Sequence, residues 1–412
     1  MRFILKRFGN SWLFGTFICL FLLIYFNNET LANNLCTFIN QPCMYVAIGI
    51  IAFFVCSIHR TRGNISSQSA MPYIFVSLLF LVLNGMMDTT FANGYFLTMM
   101  NIVVAFMLSK MIRFRDFSLW YIEIMVILAI CSLLITYPLA SIVRSLSLPH
   151  VMNSANVPFT NAYICYLVDF GDYYRNTGIF REAGVWGGFL LIALMLTIEN
   201  SFLYSPQKYW FRVILLVATI ISTFSTACLV AMVMVFCIMI IKRKSKEVKK
   251  ISNLWLIVGA VGVVFVTLKM EMGAEALTES VDKLVGNSSS MDYRTEVMKN
   301  AVPVIFSNPL GCGILQGTQM LTNANTLNNY HNTSTFVAGT VYFGCIYILL
   351  YLVGLYKFCK RRLCSWLYMA PFFMLLNAEQ YIFNPIFYLL IFYGFQKSEQ
   401  ENLAPLCNSP FY

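Results

Sequence analysis

The sequence predicts an all-α polytopic membrane protein with about 12 transmembrane helices and two large loops on one side of the membrane. Of its 412 residues, 59% are hydrophobic and only 11% are charged. The mean hydropathy is +0.70, and so few charges cannot cover a water-soluble surface of this size. Apolar runs long enough to cross a bilayer, or nearly so, recur along the chain. Basic clusters between these runs follow the pattern that orients membrane helices.

Five apolar runs occupy residues 1–137, before the first large loop. The basic N-terminus MRFILKRFGN precedes the first run, and no small-residue cleavage site is evident after it. We therefore predict an uncleaved first helix. The five predicted helices cover residues 11–26, 44–58, 71–86, 95–111 and 119–137. The first large loop covers residues 138–183.

Residues 184–268 are predicted to form helices six to nine. The sixth covers residues 184–198, and the ninth covers residues 254–268. The apolar run between them, residues 213–241, would be about 43 Å long as one helix, too long for a hydrocarbon core of about 30 Å. Basic clusters flank both of its ends, so we predict a hairpin that turns near residues 222–227.

The second large loop covers residues 269–333, and residues 334–412 complete the chain. Residues 334–356 are predicted to form the tenth helix. The last apolar stretch, residues 365–395, is again flanked by basic residues and is interrupted by the polar sequence NAEQYIFNP at 377–385. It is therefore predicted to form helices eleven and twelve before a short tail, which places both termini in the cytoplasm.

Seven of the 28 lysine and arginine residues fall on the other side of the membrane in this topology. All seven lie in the two large loops, so these loops hold basic residues for a reason other than orientation. The second loop also contains a predicted helix that starts near Ser289 and stops at Asn308-Pro309. Its apolar face would carry Val297, Met298 and Ala301 and could lie on the membrane surface.

The end of the first loop, YYRNTGIFREAGVWGG, carries Arg175, Gly178, Arg181 and Glu182. One interpretation is an interfacial charge pair or a salt bridge that braces the sixth helix. The other is an anion site, because arginine binds phosphate oxygens in bidentate fashion and a helix N-terminus adds favourable dipole charge. Gly184 and Gly188 would let this helix pack closely on a neighbour. Glu182 would then orient Arg181 or act as a base.

The second loop offers a further set of candidates. Arg294 lies at the start of the predicted helix, and NPLGCG at 308–313 follows its end. The glycines Gly311 and Gly313 allow a close approach of backbone to a ligand, or this segment simply stops the helix. His331, followed by Asn332, suits proton removal from a substrate hydroxyl, although a single interfacial histidine is more often structural.

Several classes of function lack their sequence signals. The chain has no P-loop, no D-x-D and no G-x-S-x-G motif, and its cysteines and histidines lack metal-ligand spacing, so no metal or cofactor is predicted.

Cys36 and Cys43 share a predicted outer loop and could pair. The net charge of +10 reflects orientation signals rather than a nucleic-acid partner. Apart from Glu123, which is near a cytoplasmic end, no charged residue lies in the central part of a predicted helix, which disfavours a proton-coupled transporter.

The end of the first loop resembles that of the bacterial O-antigen polymerases and O-antigen ligases. In that superfamily the first of two large periplasmic loops typically ends in R-x-x-G-x-F-x-E or a similar motif. RNTGIFRE matches it at Arg175, Gly178, Phe180 and Glu182, with Ala183 where proline is common. The next hairpin often carries a serine-rich turn, which STFSTACL resembles.

The second loop continues the resemblance. Members of the superfamily often have an arginine at a helix start, then N-P-x-G-x-G, then H-N before a transmembrane helix. Arg294, the sequence NPLGCG and the pair His331-Asn332 occur here in that order. The shared topology extends along the whole chain, whereas the matching residues number roughly 40.

The resemblance implies a GT-C-like enzyme of the bacterial inner membrane that needs no cofactor. Its donor would be a polyprenyl-diphosphate-linked oligosaccharide. Arg175, Arg181 and Arg294 would stabilise the leaving diphosphate, and His331 or Glu182 would take the proton of the acceptor hydroxyl. The supporting residues would be Gly178, Asn332, Gly311 and Gly313.

The resemblance leaves three activities open. A polymerase, for O-antigen or capsule, would use another lipid-linked repeat as acceptor, and a chain-length regulator is an expected partner. A ligase would transfer the polymer to the lipopolysaccharide core. Polymerase is favoured, because the second loop has one arginine and the spacing from His331 to Gly339 and Gly344 departs from the ligase pattern. A flippase for the same lipid is the third option, and its charged cavity within the helices is not evident.

Overall fold

The computed structural model describes residues 11–27, 30, 48–49, 67–88, 93–152, 158–168, 175–243, 289–324 and 334–396. The fold is mostly helical. Before the first loop it has α1 Ser11–Tyr25, α2 Ser67–Met87, α3 Asn93–Met111 and α4 Phe114–Thr136. These bounds agree with four of the first five predicted helices. The other, at residues 44–58, lies outside the described residues except for positions 48–49.

The first loop has structure of its own. It contains the short helix α5 Ala140–Ser145 and a three-stranded antiparallel sheet, with β1 His150–Met152, β2 Pro158–Asn161 and β3 Tyr166–Val168. Val151 pairs with Phe159, which pairs with Val168. The prediction of an all-α protein is therefore wrong in this loop. The strands are too short for an alternating pattern to be recognised in the sequence, and the tight turn after Asn161 allows β2 and β3 to pair.

The predicted break in each of the two long apolar runs is confirmed. After α6 Ala183–Glu199 and a 3₁₀ turn at Ser201–Leu203, α7 Pro206–Ser222 and α8 Thr226–Arg243 are separated by a turn of three residues. The final stretch forms a 3₁₀ turn Trp366–Tyr368, α13 Met369–Ala378 and α14 Pro385–Phe395. Asn384 caps α14, because its Oδ1 accepts a hydrogen bond from the Ile386 amide at 3.0 Å.

The second loop contains α9 Ser289–Ser307 and α10 Ile314–Ala324. The predicted helix in this loop and its stop before Asn308 are confirmed. Val297 and Ala301 are buried, but Met298 is 48% exposed, so it does not share their face. The position of α9 on a membrane surface stays a prediction.

The predicted tenth helix, residues 334–356, is corrected by the structure. It is two helices, α11 Thr335–Phe343 and α12 Cys345–Arg362. Gly344 separates them with a φ of +93°, a conformation that glycine adopts without the steric cost of a side chain. The apolar pattern continues through the break, so the sequence shows one run where the backbone makes two helices.

Two helices form the centre of the fold. Every residue of α14 is buried, as is α6 from Ala183 to Ile198, which is the expected state of a helix that is apolar all round. α6 packs against α4, α7 and α8, whereas α14 packs against α3 and α12. The N-terminus of α6 follows the arginine motif of the first loop, so the core holds this motif on a rigid element.

By length and composition, three described helices could cross a membrane, within Ala70–Met87, Gly94–Met111 and Phe114–Thr136. Further apolar helices are shorter, including those within Ala183–Glu199 and Pro385–Phe395. Large apolar side chains such as Phe75, which is 69% exposed, face outward, as expected for a membrane protein. The predicted ninth helix, residues 254–268, lies outside the described residues, and the total of 12 stays a prediction, as do the domain bounds.

Candidate functional site

Residues 175–182, here called the strap, lie against the turn between α7 and α8. Arg175 donates from Nε to the Thr223 carbonyl at 3.4 Å and from Nη2 to the Phe224 carbonyl at 3.5 Å. Both carbonyls follow the last residue of α7, where a helix dipole places partial negative charge. The predicted arginine motif and the predicted serine-rich turn are therefore in direct contact.

Asn176 joins the strap to the core by hydrogen bonds, and sequence reasoning missed this residue. Its amide nitrogen Nδ2 donates to the hydroxyls of Ser132 at 3.1 Å and Ser222 at 3.0 Å. Its Oδ1 accepts from the Gly178 amide at 3.0 Å. Asn176 is fully buried, so these bonds satisfy polar atoms that would otherwise be costly. The sequence features that could have indicated this contact are the position of Asn176 next to Arg175 and the presence of serines in two apolar helices.

The backbone at Gly178 leaves no room for a side chain. Its φ is +56°, and a Cβ there would lie 2.7 Å from Cε2 of Trp186 on α6. Its carbonyl accepts a hydrogen bond from the Tyr166 amide of β3 at 2.8 Å. Phe180 stacks on the Trp186 ring at 5.6 Å between centroids. The strap is thereby held between the sheet and the first turns of α6.

The start of α6 carries Arg181 and Glu182, both partly buried. Glu182 is the N-cap residue, and its side chain makes no capping hydrogen bond. The ion pairs between described residues include Arg212 with Glu123 and Lys242 with Glu199. No pair of Glu182 with Arg181 is among those that involve described residues, so the predicted orienting role of Glu182 has no support there.

The close packing predicted for Gly184 and Gly188 is confirmed. A Cβ on Gly184 would overlap Oε1 of Glu379, and one on Gly188 would overlap the hydroxyl of Tyr381. The Tyr381 hydroxyl donates to the Gly184 carbonyl at 3.4 Å. The neighbour of α6 is thus the segment between α13 and α14, which the sequence marked only as a polar break.

This segment also contacts the start of α11. The Glu379 carbonyl accepts hydrogen bonds from Thr335, at 2.6 Å from Oγ1 and 3.2 Å from the amide. The Thr335 hydroxyl in turn accepts from the Tyr381 amide at 2.7 Å. Glu379 is 5% exposed. The start of α6 approaches the Glu379 carboxylate and the start of α11 bonds to the Glu379 carbonyl, so both helices meet at one buried residue that sequence reasoning did not select.

The NPLGCG segment lies at the other end of α11. The Cys312 amide donates to the Val341 carbonyl at 2.9 Å, and the Cys345 amide donates to the Pro309 carbonyl at 2.9 Å. α11 has nine residues, about 13 Å at 1.5 Å per residue. The opposite end of α11, at Thr335, is the end that bonds to Glu379 beside α6.

Gly311 and Gly313 approach protein atoms in the structure. A Cβ on Gly311 would lie 2.5 Å from Oδ1 of Asn84, and one on Gly313 would overlap the carboxylate of Asp88. Asp88 accepts hydrogen bonds from the first amides of α10, at 2.9 Å from Ile314 and at 3.2 Å from the next two residues. The N-terminus of α10 is therefore occupied by a carboxylate of the protein itself.

The remaining predicted site residues lie outside what the structure describes. His331 and Asn332 belong to the undescribed range 325–333, and the Arg294 side chain is not described, although its backbone lies in α9. Cys36 and Cys43 are likewise outside the described residues. Within the described part of the chain, no group of three or more His, Cys, Asp or Glu could hold a metal ion.

The sequence profile of the O-antigen ligase family matches residues 211–341. This match supports membership of the O-antigen polymerase and ligase superfamily. The matched range begins in α7, includes the turn that binds Arg175, and ends in α11. No curated protein and no solved structure matches the chain. The superfamily supports a glycosyltransferase-like membrane enzyme of lipopolysaccharide assembly, a polymerase or a ligase in general.

Proposed function

We propose that the chain polymerises polyprenyl-diphosphate-linked oligosaccharide repeat units at the periplasmic face of the inner membrane. The contact of the Arg175 strap with the α7–α8 turn and with the start of α6 carries this proposal. It holds Arg175 and Arg181 on a rigid part of the fold, next to a helix N-terminus. Arginines in such a setting stabilise a leaving diphosphate without reorganisation during the reaction.

In the proposed reaction, a sugar hydroxyl of the acceptor attacks the anomeric carbon of the donor. The bond from that carbon to the diphosphate oxygen breaks, and the electron pair stays on the diphosphate. Arg175, Arg181 and Arg294 would stabilise the added negative charge. His331 or Glu182 would accept the hydroxyl proton. The transfer requires no metal, because the arginines supply the positive charge.

A ligase is the second candidate, because the family that matches residues 211–341 is described as O-antigen ligase. A ligase would use the same donor and the same arginines, and only the acceptor would be the lipopolysaccharide core. The single arginine of the second loop favours the polymerase. A flippase for the same lipid-linked sugar is a less favoured alternative, and a chain-length regulator is a proposed partner of the polymerase.

A deletion strain separates these activities. Loss of a polymerase leaves the lipid core with a single repeat, as seen in a lipopolysaccharide gel. Loss of a ligase leaves polymer on the polyprenyl carrier and none on the core. Loss of a flippase leaves repeats on the cytoplasmic side. A deletion strain with a normal ladder of chain lengths would exclude all three.

A further inference from the structure

The first loop exposes apolar side chains at two places, and the first of these is α5. Leu139, Ile142 and Leu146 are 40%, 56% and 52% exposed. They lie three and four positions apart, so they share one face of the helix. Val143, at the edge of that face, is buried, whereas Ser141 on the other side is exposed. α5 is therefore amphipathic, and it turns much of its apolar face away from the protein.

The second place is the turn between β2 and β3. Tyr163 and Ile164 in this turn are 55% and 48% exposed. Tyr163 has a φ of +61°, a left-handed conformation that is costly for a residue with a side chain. Its amide donates to Oδ1 of Asn161 at 2.7 Å, and the Tyr25 hydroxyl donates to its carbonyl. These contacts hold two large apolar side chains outward in a strained turn.

The length of α4 places its C-terminal end at a membrane surface. α4 has 23 residues, about 34 Å at 1.5 Å per residue, and it is one of the described helices that could cross a membrane. Its start is flanked by the exposed residues Arg113 and Arg115, which belong at a water interface. A hydrocarbon core of about 30 Å then ends near the last turn of α4, at Thr136.

Direct contacts join both apolar features to that last turn. The Leu139 amide donates to the carbonyl of Leu134 at 3.0 Å, and Leu134 is itself an exposed apolar residue of α4. The Cys165 thiol and the Thr136 hydroxyl form a hydrogen bond at 3.9 Å, and Cys165 directly follows Ile164. The outward apolar surface of the crossing helix therefore continues into the first loop where the hydrocarbon core ends.

We propose that this surface contacts the acyl chains of phospholipids in the leaflet where α4 ends, which is the periplasmic leaflet in the predicted topology. The residues of this surface, here called the lipid face, are Leu139, Ile142, Leu146, Tyr163 and Ile164. A short amphipathic helix of this kind lies in the plane of the interface with its apolar face in the acyl region, and tyrosine suits the headgroup boundary. Lipid contact removes from water the apolar area that the fold leaves exposed, which is favourable by about 25 cal/mol per Å².

The strap lies at the same depth as the lipid face. Asn176 of the strap donates to Ser132, one turn before the end of α4, at 3.1 Å. β3, which follows the turn, bonds to the strap from the Tyr166 amide to the Gly178 carbonyl at 2.8 Å. Lipid contact by the first loop therefore holds the strap at the level of the headgroups, where the diphosphate of a lipid-linked donor lies. This consequence rests on the proposed function, whereas the lipid contact itself does not.

The test places a photo-crosslinking amino acid, p-benzoylphenylalanine, at one position at a time in the full-length chain. The positions on the lipid face are Ile142, Leu146 and Ile164. The matched control is Ser141, which neighbours Ile142 in sequence but lies on the polar side of α5. Phe75, an exposed residue of the crossing helix α2, is the positive control. Each protein is purified, reconstituted in nanodiscs of phosphatidylethanolamine and phosphatidylglycerol with deuterated acyl chains, and irradiated.

Adducts are quantified by peptide mass spectrometry from the added mass of a deuterated lipid. We expect lipid adducts at the three lipid-face positions, with yields within about threefold of that at Phe75 and on the order of tenfold above that at Ser141. Equal yields at Ser141 and at the lipid face would overturn the proposal. Crosslinks to a second copy of the chain in place of lipid would overturn it as well.

A second measurement uses smaller changes of side chain. Ile142→Cys and Ser141→Cys are compared in liposomes with a maleimide that does not cross the membrane, and labelling rates are read by peptide mass spectrometry. Ile142→Cys should be labelled on the order of tenfold more slowly, because acyl chains exclude the reagent and disfavour the thiolate. Equal labelling rates would contradict the lipid contact. Neither measurement uses transfer activity, so a failure of the proposed function would leave both results unchanged.

Discussion

The two ends of α11 use the same kinds of residue for different purposes. At the Gly344 end, glycines, a carboxylate and a helix N-terminus meet, and the Asp88 carboxylate accepts the first amides of α10. At the Thr335 end, glycines of α6, the Glu379 carboxylate and the N-terminus of α6 also meet. Here the strap adds Arg175 and Arg181. Glycine-rich turns near helix starts therefore mark close packing in both places, and the arginines are what distinguish the proposed substrate site from the other end.

The largest effect is expected at the strap and at the start of the second-loop helix. Arg175→Ala, Arg181→Ala and Arg294→Ala should each lower glycosyl transfer on the order of 10³-fold, because stabilisation of the leaving diphosphate is lost. The amount of protein in the membrane should not fall. Arg144→Ala is the control, since Arg144 lies in the same loop and donates to the Val168 carbonyl of the sheet. Normal chain-length ladders from all three variants would remove the diphosphate role.

His331 should matter more than His150. His331→Ala is expected to lower the transfer rate roughly 10²-fold if the imidazole participates in proton transfer. His150 is exposed at the start of β1, and His150→Ala should leave the rate within about twofold, as for other surface changes. Equal rates of the two variants in a transfer assay with the purified protein in liposomes would exclude His331 as a base.

Gly178→Ala should affect both stability and activity. The substitution places a Cβ 2.7 Å from the Trp186 ring in a residue with a φ of +56°. The strain should cost about 1–3 kcal/mol and displace the strap, so we expect a partial loss of transfer. Thermal unfolding and transfer rate are measured on the same preparation. A wild-type rate in Gly178→Ala would mean that the strap position is not critical.

Variants at the Gly344 end of α11 should lower the stability of the protein and leave the rate of glycosyl transfer unchanged. Gly313→Ala forces a Cβ onto the Asp88 carboxylate, and Asp88→Asn weakens the bonds to the amides of α10. Each should cost about 1–3 kcal/mol. The transfer rate per folded molecule should stay within about twofold of wild type, because the contacts of Gly313 and Asp88 are with other parts of the protein. A selective loss of rate without loss of stability would place this end in the active site.

The smallest effect is a difference in thiol labelling within the first loop. Burial raises the pKa of the Cys165 thiol to about 12, so its thiolate fraction near pH 8 is about 10⁻⁴. Maleimide should therefore label Cys165 much more slowly than Cys364, which is exposed. Labelling should speed up in Gly178→Ala, because Gly178 accepts a bond from the neighbouring Tyr166 amide. Rapid labelling of Cys165 in the wild type would contradict the packing of the sheet.

The helices were the most predictable part of the fold, because apolar length and flanking charge specify them locally. The turn at Thr223–Ser225 followed from a run too long for the bilayer, and the break before α14 followed from its polar residues. The small sheet and the break at Gly344 were missed. Three-residue strands carry too little pattern, and the break depends on contacts of Gly344 with Leu310 and Gly311 rather than on local composition.

In the candidate site, too, some features could be predicted from the sequence and others could not. The sequence by itself identified a helical membrane protein, its two hairpins and the arginine motif, because hydropathy and charge act over short segments. Only the tertiary structure brought Glu379 to Gly184 and Asn176 to Ser132 and Ser222. Tyr381 and Gly184 are 197 positions apart, and such contacts arise from the packing of apolar helices whose partners hydropathy does not specify. The same packing places Gly311 against Asn84 and Gly313 against Asp88, contacts that their motif did not indicate.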